Sequence, residues 1–457
     1  MPLRFLLVLL SLAPACTPVD PVGGDDQPLA ATIEPSEAVG TVATVRFSTA
    51  SAATAVVEVT EPGASPRAFL AETTDGTDHV AVLVGLAAGV DYSWRAVATL
   101  DTGEVRASEP AVFATEFQPL WMPTLILTIP DEASTERFVL TTMVGDDPGV
   151  AILDERGRIV WWWHGEEGVF ACQARLAADG RSVLLMVVDS LMQSDVGVIR
   201  RVSLSGEPLG EARATLAHHD FVELPDGRVG FLSYDAREWE GMDVVGDALV
   251  VLDLVTGAEE TVWSSWDDLT PGNVLEYPSH PLGAEWTHAN GLDFDEVSGD
   301  WLVSMHNIST IARVTGGGEL RWQLGGVGSD FTSLADASEG PFAEQHGPTF
   351  TDEGILLFDN REPQTGNLYS RTIELRLDET AGTFETAWAY DGDRRLFTAF
   401  MGSAERLDDG STLVGWGSGG RLERVDADGF VPWRVDVQIG FPLGFSHHLA
   451  TLGERVP

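Results

Sequence analysis

The stretch His218–Asp235, "HHDFVELPDGRVGFLSYD", reads as two short strands around a tight turn. Phe221 and Val222 lead into Pro225-Asp226-Gly227, a turn composition, and Val229 to Tyr234 follow as an apolar strand. The same half-unit recurs as "ARLAADGRSVLLMVVD" from Ala174, "LDFDEVSGDWLVSMH" from Leu292, "PTFTDEGILLFDN" from Pro348 and "ERLDDGSTLVGWGS" from Glu405. A second half-unit alternates with it: a strand, a polar turn and a strand that often carries tryptophan. Its copies are "VAILDERGRIVWWW", "RVSLSGEPLGEARAT", "VVLDLVTGAEETVWSS", "IARVTGGGELRWQLGG", "IELRLDETAGTFETAWAY" and "RLERVDADGFVPWRVDV". At His447 the fragment "HHLATL" begins a further copy without its partner. Residues just after Trp121 would supply that partner and close a ring. Repeats of four strands, each unable to bury its own faces, predict an all-β chain with a six-bladed β-propeller over residues 118–457. No amphipathic helix of any length competes with that pattern.

Upstream of the repeats the texture changes. Residues 31–117 hold short alternating runs such as "TAVVEVTE" and "YSWRAVATL", with turn residues between them, which predict a small β-sandwich. "LVGLAAGVDYSWRAVA", Leu83 to Ala98, resembles a fibronectin type III domain with Tyr92 as its corner tyrosine. Such a module serves spacing or subunit contact, so this domain is also the candidate surface for a homodimer. Residues 17–30 are rich in Pro, Gly and Asp and read as a flexible linker. Residues 1–16, "MPLRFLLVLLSLAPAC", have one arginine, an apolar run too short to span a bilayer, and small residues before Cys16. They predict an export signal with a lipobox-like end and lipidation at Cys16, hence a periplasmic or surface lipoprotein. The membrane would be met only through that anchor. Cys172 is the one other cysteine and reads as a buried thiol without a disulfide partner. The formal net charge of −44, with every basic residue an arginine, repels nucleic acid and anionic lipid surfaces.

The chain has ten histidines, and several fall at one point of the repeat. His218 and His219, His288 and His346 stand where the innermost strand of a blade would begin, in three successive units. His447 and His448 hold the same place in the last copy, and His306 ends the strand beside the His288 strand. Nothing in blade folding requires imidazole there, and radial repetition would bring these rings toward one axis. His218 and His288 each lie six residues before the apolar residue preceding the turn (Leu224, Phe294), and His346 lies four before Phe350. Even offsets share a strand face, so parity favours His218 over His219. A bulge would reverse that choice. Clustered imidazoles can bind a metal, with Asp220 or Asp359 as a carboxylate ligand. They can equally perform nucleophilic and acid–base chemistry on an anionic ester.

The motifs "HHDFVELPDG", "EWTHANGLDFD", "LVSMHNISTIARV", "WQLGG", "EQHGPTF" with "LLFDN", "YSRTIEL" and "GSAERLDDGSTLVGWG" occur in order. Together they resemble the bacterial arylsulfotransferases from about Trp121 to the C-terminus. The resemblance implies a ping-pong transfer of a sulfuryl group from a phenolic sulfate ester to another phenol, with no nucleotide donor and no cofactor. It puts the nucleophile, carried transiently as sulfohistidine, on His346. The second catalytic histidine falls on His288 and the third on His218 or His219. Where the family pattern has a sulfate-gripping arginine, this chain reads "SMHN" and offers His306. Asn290, Arg361 and Arg371 complete the expected substrate-binding set. No catalytic metal is implied, and a structural calcium between blades is compatible with the fold. Two other functions use the same residues: a non-catalytic, surface-anchored binding propeller, and a metal-dependent hydrolase or lyase.

Overall fold

The computed structural model describes residues 28–453, apart from 131–136, 146, 190–191, 193–194, 196, 272–279, 336–340, 362–368, 395 and 439–441. The leader at 1–16 with Cys16, and most of the 17–30 linker, lie outside the described residues.

Two sheets precede the repeats. One runs in the order Ala31–Pro35, Ala43–Ser48, Asp78–Leu83, Glu72–Thr74. The other runs Arg67–Leu70, Ala53–Thr60, Asp91–Leu100, Val105–Ala107, with Ala111–Ala114 also on Asp91–Leu100. Their sequences alternate because one face of each is wet: in Ala53–Thr60, Ala53, Ala55, Val57 and Val59 are buried and the residues between are not. These side chains meet Phe47, Phe69 and Trp94 in one core. Tyr92 is buried there, and its hydroxyl accepts the Ala87 N–H at 2.8 Å.

From Leu125 to Leu449 the strands form six sheets, each built on four antiparallel strands. Their first strands are Val169–Leu176, Ala217–Glu223, Ala289–Asp295, His346–Phe350, Ser403–Arg406 and Leu443–Leu449. Each packs beside the next, and Leu443–Leu449 packs back on Val169–Leu176, so the six make a closed ring. The strands just outside them are covered on both faces by neighbouring sheets. Phe138–Met143, Asp300–Met305 and Ile355–Asp359 are buried at every residue, which is why they read as apolar runs without alternation. The turns between first and second strands repeat one geometry. Gly180, Gly227 and Gly410 each donate their N–H back three residues, to Ala177, Leu224 and Leu407, with φ of +65°, +82° and +81°. Glycine enters that left-handed conformation without a Cβ clash.

The ring closes on the fragment at His447. Leu443–Leu449 pairs with Phe138–Met143, Phe138 opposite Leu449 and Leu140 opposite His447. A second closure was not foreseen from the repeat: Leu125–Ile129 adds to the outer edge of Trp433–Val437 as a fifth strand. The N-terminal sheets are tied to the ring by Thr41 Oγ1 donating to Val160 O (2.8 Å), Ser36 Oγ donating to Ser205 O (2.6 Å), and the Arg158–Glu61 ion pair (2.6 Å).

Candidate active site

At the entry of three successive first strands the ladder slips. Register breaks fall between His218 and Phe221, between Ala289 and Gly291, and between His346 and Thr349. His219 and Gly347 lie within the first and third breaks and His288 just before the second, with φ of +57°, +52° and +52° in the order His219, Gly347, His288. A bulge of this kind re-aims a side chain, and a left-handed non-glycine residue costs on the order of 1 kcal/mol or more. The result is a cavity of about 380 Å³ inside the ring. His219, His288, His306 and His346 line it in sequence, with ring centroids 4.7, 5.3 and 5.6 Å apart from one to the next. Phe170, Met401, Phe400 and Phe445 give the remaining wall an apolar, aromatic surface.

The bulge overturns the parity expectation for His218. It leaves two residues, His219 and Asp220, unpaired between His218 and Phe221, and the left-handed φ of His219 turns that ring to the cavity face. His218 is fully buried behind it, stacked on Tyr234 (3.9 Å between centroids), with Nε2 3.1 Å from Asp247 Oδ1. Three expected substrate-binding residues also stand away from the cavity. Asn290 is buried, donating to Gln345 O (2.8 Å) and accepting from Ser304 Oγ (2.8 Å). Arg371 is spent on Asp359 (2.7 Å), and Arg361 lies 3.6 Å from the same carboxylate with its guanidinium over the Tyr369 ring. Among the described residues no arginine lines the cavity. The carboxylates considered as metal ligands are engaged too: Asp220 accepts from Gln173, Arg175, Phe221 and Leu292, and Asp359 from Arg371 and Ala343. Among the described residues no group of three or more His, Cys, Asp or Glu is arranged to hold a metal ion. On the Leu443–Leu449 strand the cavity residues are Gly444 and Phe445, whereas His447 faces Gln173 and His448 lines a separate crevice beside Arg137.

Two residues that the repeat pattern did not flag decide the protonation of the array. The first is Asn360. Its Nδ2 donates to Thr398 O (2.9 Å) and Met401 O (2.8 Å), which turns its Oδ1 toward His346 Nδ1 at 2.8 Å. An amide oxygen only accepts, so His346 carries its proton on Nδ1, where Glu344 O is a second acceptor at 3.2 Å. Its Nε2 is therefore a lone pair, and it accepts the Met401 N–H at 3.2 Å. Burial first, then the field of His306, pushes the His346 pKa down to about 3. The second residue is Glu285, which also lines the cavity and meets His288 Nδ1 at 2.8 Å. Burial opposes charge on His288, but the hydrogen bond and charge of Glu285, helped by Asp247, hold its pKa above the ordinary histidine value. That charge works against its neighbours. Burial and then His288 push His306 down to about 4 and His219 well below the usual range. Cys172 completes one wall, and burial pushes its thiol up, away from thiolate.

An imidazole whose charged form Glu285 favours, a buried imidazole with an unprotonated Nε2 and an aromatic wall make a site for an aromatic anion and a nucleophile. A family model described as Arylsulfotransferase (ASST) matches residues 128–429, and the chain belongs to that family. It is thus an enzyme of the sulfotransferase kind. No curated protein matches it. Among solved structures it is similar to a protein of unknown function from Bacteroides caccae, with 14% identity over 69% of this chain and 100% of that one and a TM-score of 0.45. It is also similar to a chain of a nidogen/laminin complex (11%, 68% and 98%, TM-score 0.41) and to streptogramin B lyase (12%, 70% and 90%, TM-score 0.37). At that level of likeness nothing known of those proteins transfers to this one.

Proposed function

We propose that the protein transfers a sulfuryl group from a phenolic sulfate ester to a phenol through a sulfohistidine at His346, without a nucleotide donor. The observation that carries this reading is the unprotonated Nε2 of His346, fixed by Asn360 at the cavity wall and met by one long hydrogen bond from Met401 N–H. Sulfuryl transfer resembles phosphoryl transfer, in which positioning and charge stabilisation outweigh covalent manipulation. The donor's ring lies against Phe170, Phe400 and Phe445, and His346 Nε2 attacks sulfur in line. The long hydrogen bond from Met401 N–H yields as sulfur approaches, and that N–H becomes a donor to a sulfuryl oxygen. The electron pair of the O–S bond leaves with the phenolate, a weak base that needs little acid help. His288, protonated against Glu285, supplies the positive charge that an arginine would otherwise bring to the oxygens, and His306 borders the same oxygens. A phenol then attacks the sulfohistidine, and two moderate barriers replace one high one.

The same reading takes the six sheets as a six-bladed propeller over residues 118–457 and residues 31–117 as a fibronectin type III-like module. It also takes the protein as exported, lipid-anchored through Cys16 and free of a cofactor. The test is His346→Ala, assayed for transfer from a chromogenic aryl sulfate to an added phenol. Loss of at least about a thousandfold in rate, with an unchanged melting temperature, is expected for removal of a covalent nucleophile. Retained activity, or turnover in water alone at the transfer rate, overturns the proposal.

A further inference from the structure

A second line of buried polar groups reaches the cavity from behind, and the sulfuryl-transfer scheme above leaves it unused. Asp247 is buried, and its Oδ2 is taken by Thr287 Oγ1 (2.5 Å) and Ala289 N–H (2.6 Å). Its Oδ1 faces His218 Nε2 at 3.1 Å, a charge contact without hydrogen-bond alignment, and neither atom has a hydrogen-bond partner among the described residues. At the far side of the same ring, His218 Nδ1 lies 2.9 Å from His219 Nδ1. A carboxylate only accepts, so the proton of a neutral His218 sits on Nε2 and its Nδ1 is a lone pair. Two lone pairs do not meet at 2.9 Å, so the proton between the rings belongs to His219 Nδ1. His219 Nε2 is then unprotonated, on the edge of the ring turned away from His218, in a residue that lines the cavity beside His288. Two further titratable groups stand against this pair: Tyr234, stacked on His218, and Cys172, whose thiol meets the His219 backbone.

We infer that Asp247 and His218 are positioning residues that fix the tautomer of His219, and that His219 is the base for the acceptor phenol. The base role rests on the sulfuryl-transfer reading; the tautomer does not. In the second half-reaction the acceptor O–H bond breaks and its proton goes to His219 Nε2. The phenolic oxygen bonds to sulfur, and the S–N bond to His346 breaks with its electron pair returning to Nε2. His219 later loses the proton to solvent. One donor ester and one phenol thereby become one phenolate, one new ester and one proton. While His219 is charged, its Nδ1–H points down the line through His218 toward Asp247.

Asp247→Asn tests this directly. The asparagine oxygen can keep Thr287 and Ala289, leaving its NH₂ facing His218 Nε2, which would reverse the donor direction through both rings and put the His219 proton on Nε2. Full-length protein labelled with ¹⁵N-histidine, read by two-bond ¹⁵N–¹H correlation, should show His219 protonated at Nδ1 in the parent and at Nε2 in Asp247→Asn. The variant should still release one equivalent of donor phenolate in a burst, while transfer to the phenol slows on the order of a hundredfold or more. A parent His219 protonated at Nε2, or equal slowing of burst and transfer, overturns the inference. The parent spectrum alone decides the tautomer should the variant fail to fold. Absence of any burst from the parent protein would instead remove the sulfuryl-transfer reading and leave the tautomer result intact.

Discussion

A single proton distinguishes the imidazoles around the cavity, and Glu285 decides which ring keeps it. If His288 must be charged to hold the sulfuryl oxygens, the transfer rate is full below its pKa and falls as pH rises through it. That pKa lies above the ordinary histidine value. Glu285→Gln removes the opposing charge, so the alkaline limb of the pH–rate profile should move toward lower pH. A limb that stays in place would mean His288 is not the cation. His306 and His346 act in the opposite sense on folding. Both are held neutral, near 4 and 3, whereas the unfolded chain protonates them near 6.5. Between those values the unfolded state binds more protons, so their contribution to stability shrinks as pH falls below about 6.5. Chemical denaturation of the parent and of His346→Asn at pH 7 and pH 5 should show a smaller acid loss in the variant. The histidines were legible in the sequence because they recur at one repeat position. Glu285 and Asn360 were not, since each acts through a contact that only the folded ring creates, and no spacing marks them.

At the scale of elements, the bulged entries of the first strands carry the site. Gly291 shows how tightly they fit: a Cβ there would stand 2.6 Å from Pro348 Cδ and 3.0 Å from Gly347 N. Gly347 itself needs its left-handed φ to turn His346 inward beside Pro348. Gly291→Ala should therefore push back the Gly347-Pro348 turn, costing about 1–3 kcal/mol of stability. It should also lower the transfer rate more than it weakens donor binding, because His346 is displaced and the aromatic wall is not. Equal losses in kcat and KM would mean that the turn does not aim His346. The strands themselves were readable from apolar runs and Asp-Gly turns. The bulges were not, because alternation assigns faces only while the ladder stays in register, and two unpaired residues, the first with a left-handed φ, exchanged His218 for His219.

For the whole molecule, the ring depends on pairing between residues distant in the chain, Leu443–Leu449 with Phe138–Met143 and Leu125–Ile129 with Trp433–Val437. Ending the chain at residue 442 would leave Phe138–Met143 without its inner neighbour and strip Gly444 and Phe445 from the cavity. The truncated protein should melt at a lower temperature than the parent and lose its transfer activity. An unchanged melting curve would show that the closing strand is dispensable. The incomplete repeat at His447 announced that an early strand would close the ring, but the residues just after Trp121 went to the edge of Trp433–Val437, and Phe138–Met143 supplied the expected partner. The inner strand of the first sheet is thus made after all the other sheets, because residues 443–449 follow them in the chain. During synthesis every histidine of the array exists before the wall that Phe445 supplies. The imidazoles acquire a closed, aromatic-walled pocket only once residue 449 has been added, so an unfinished chain holds the chemistry in pieces and becomes an enzyme with its last strand.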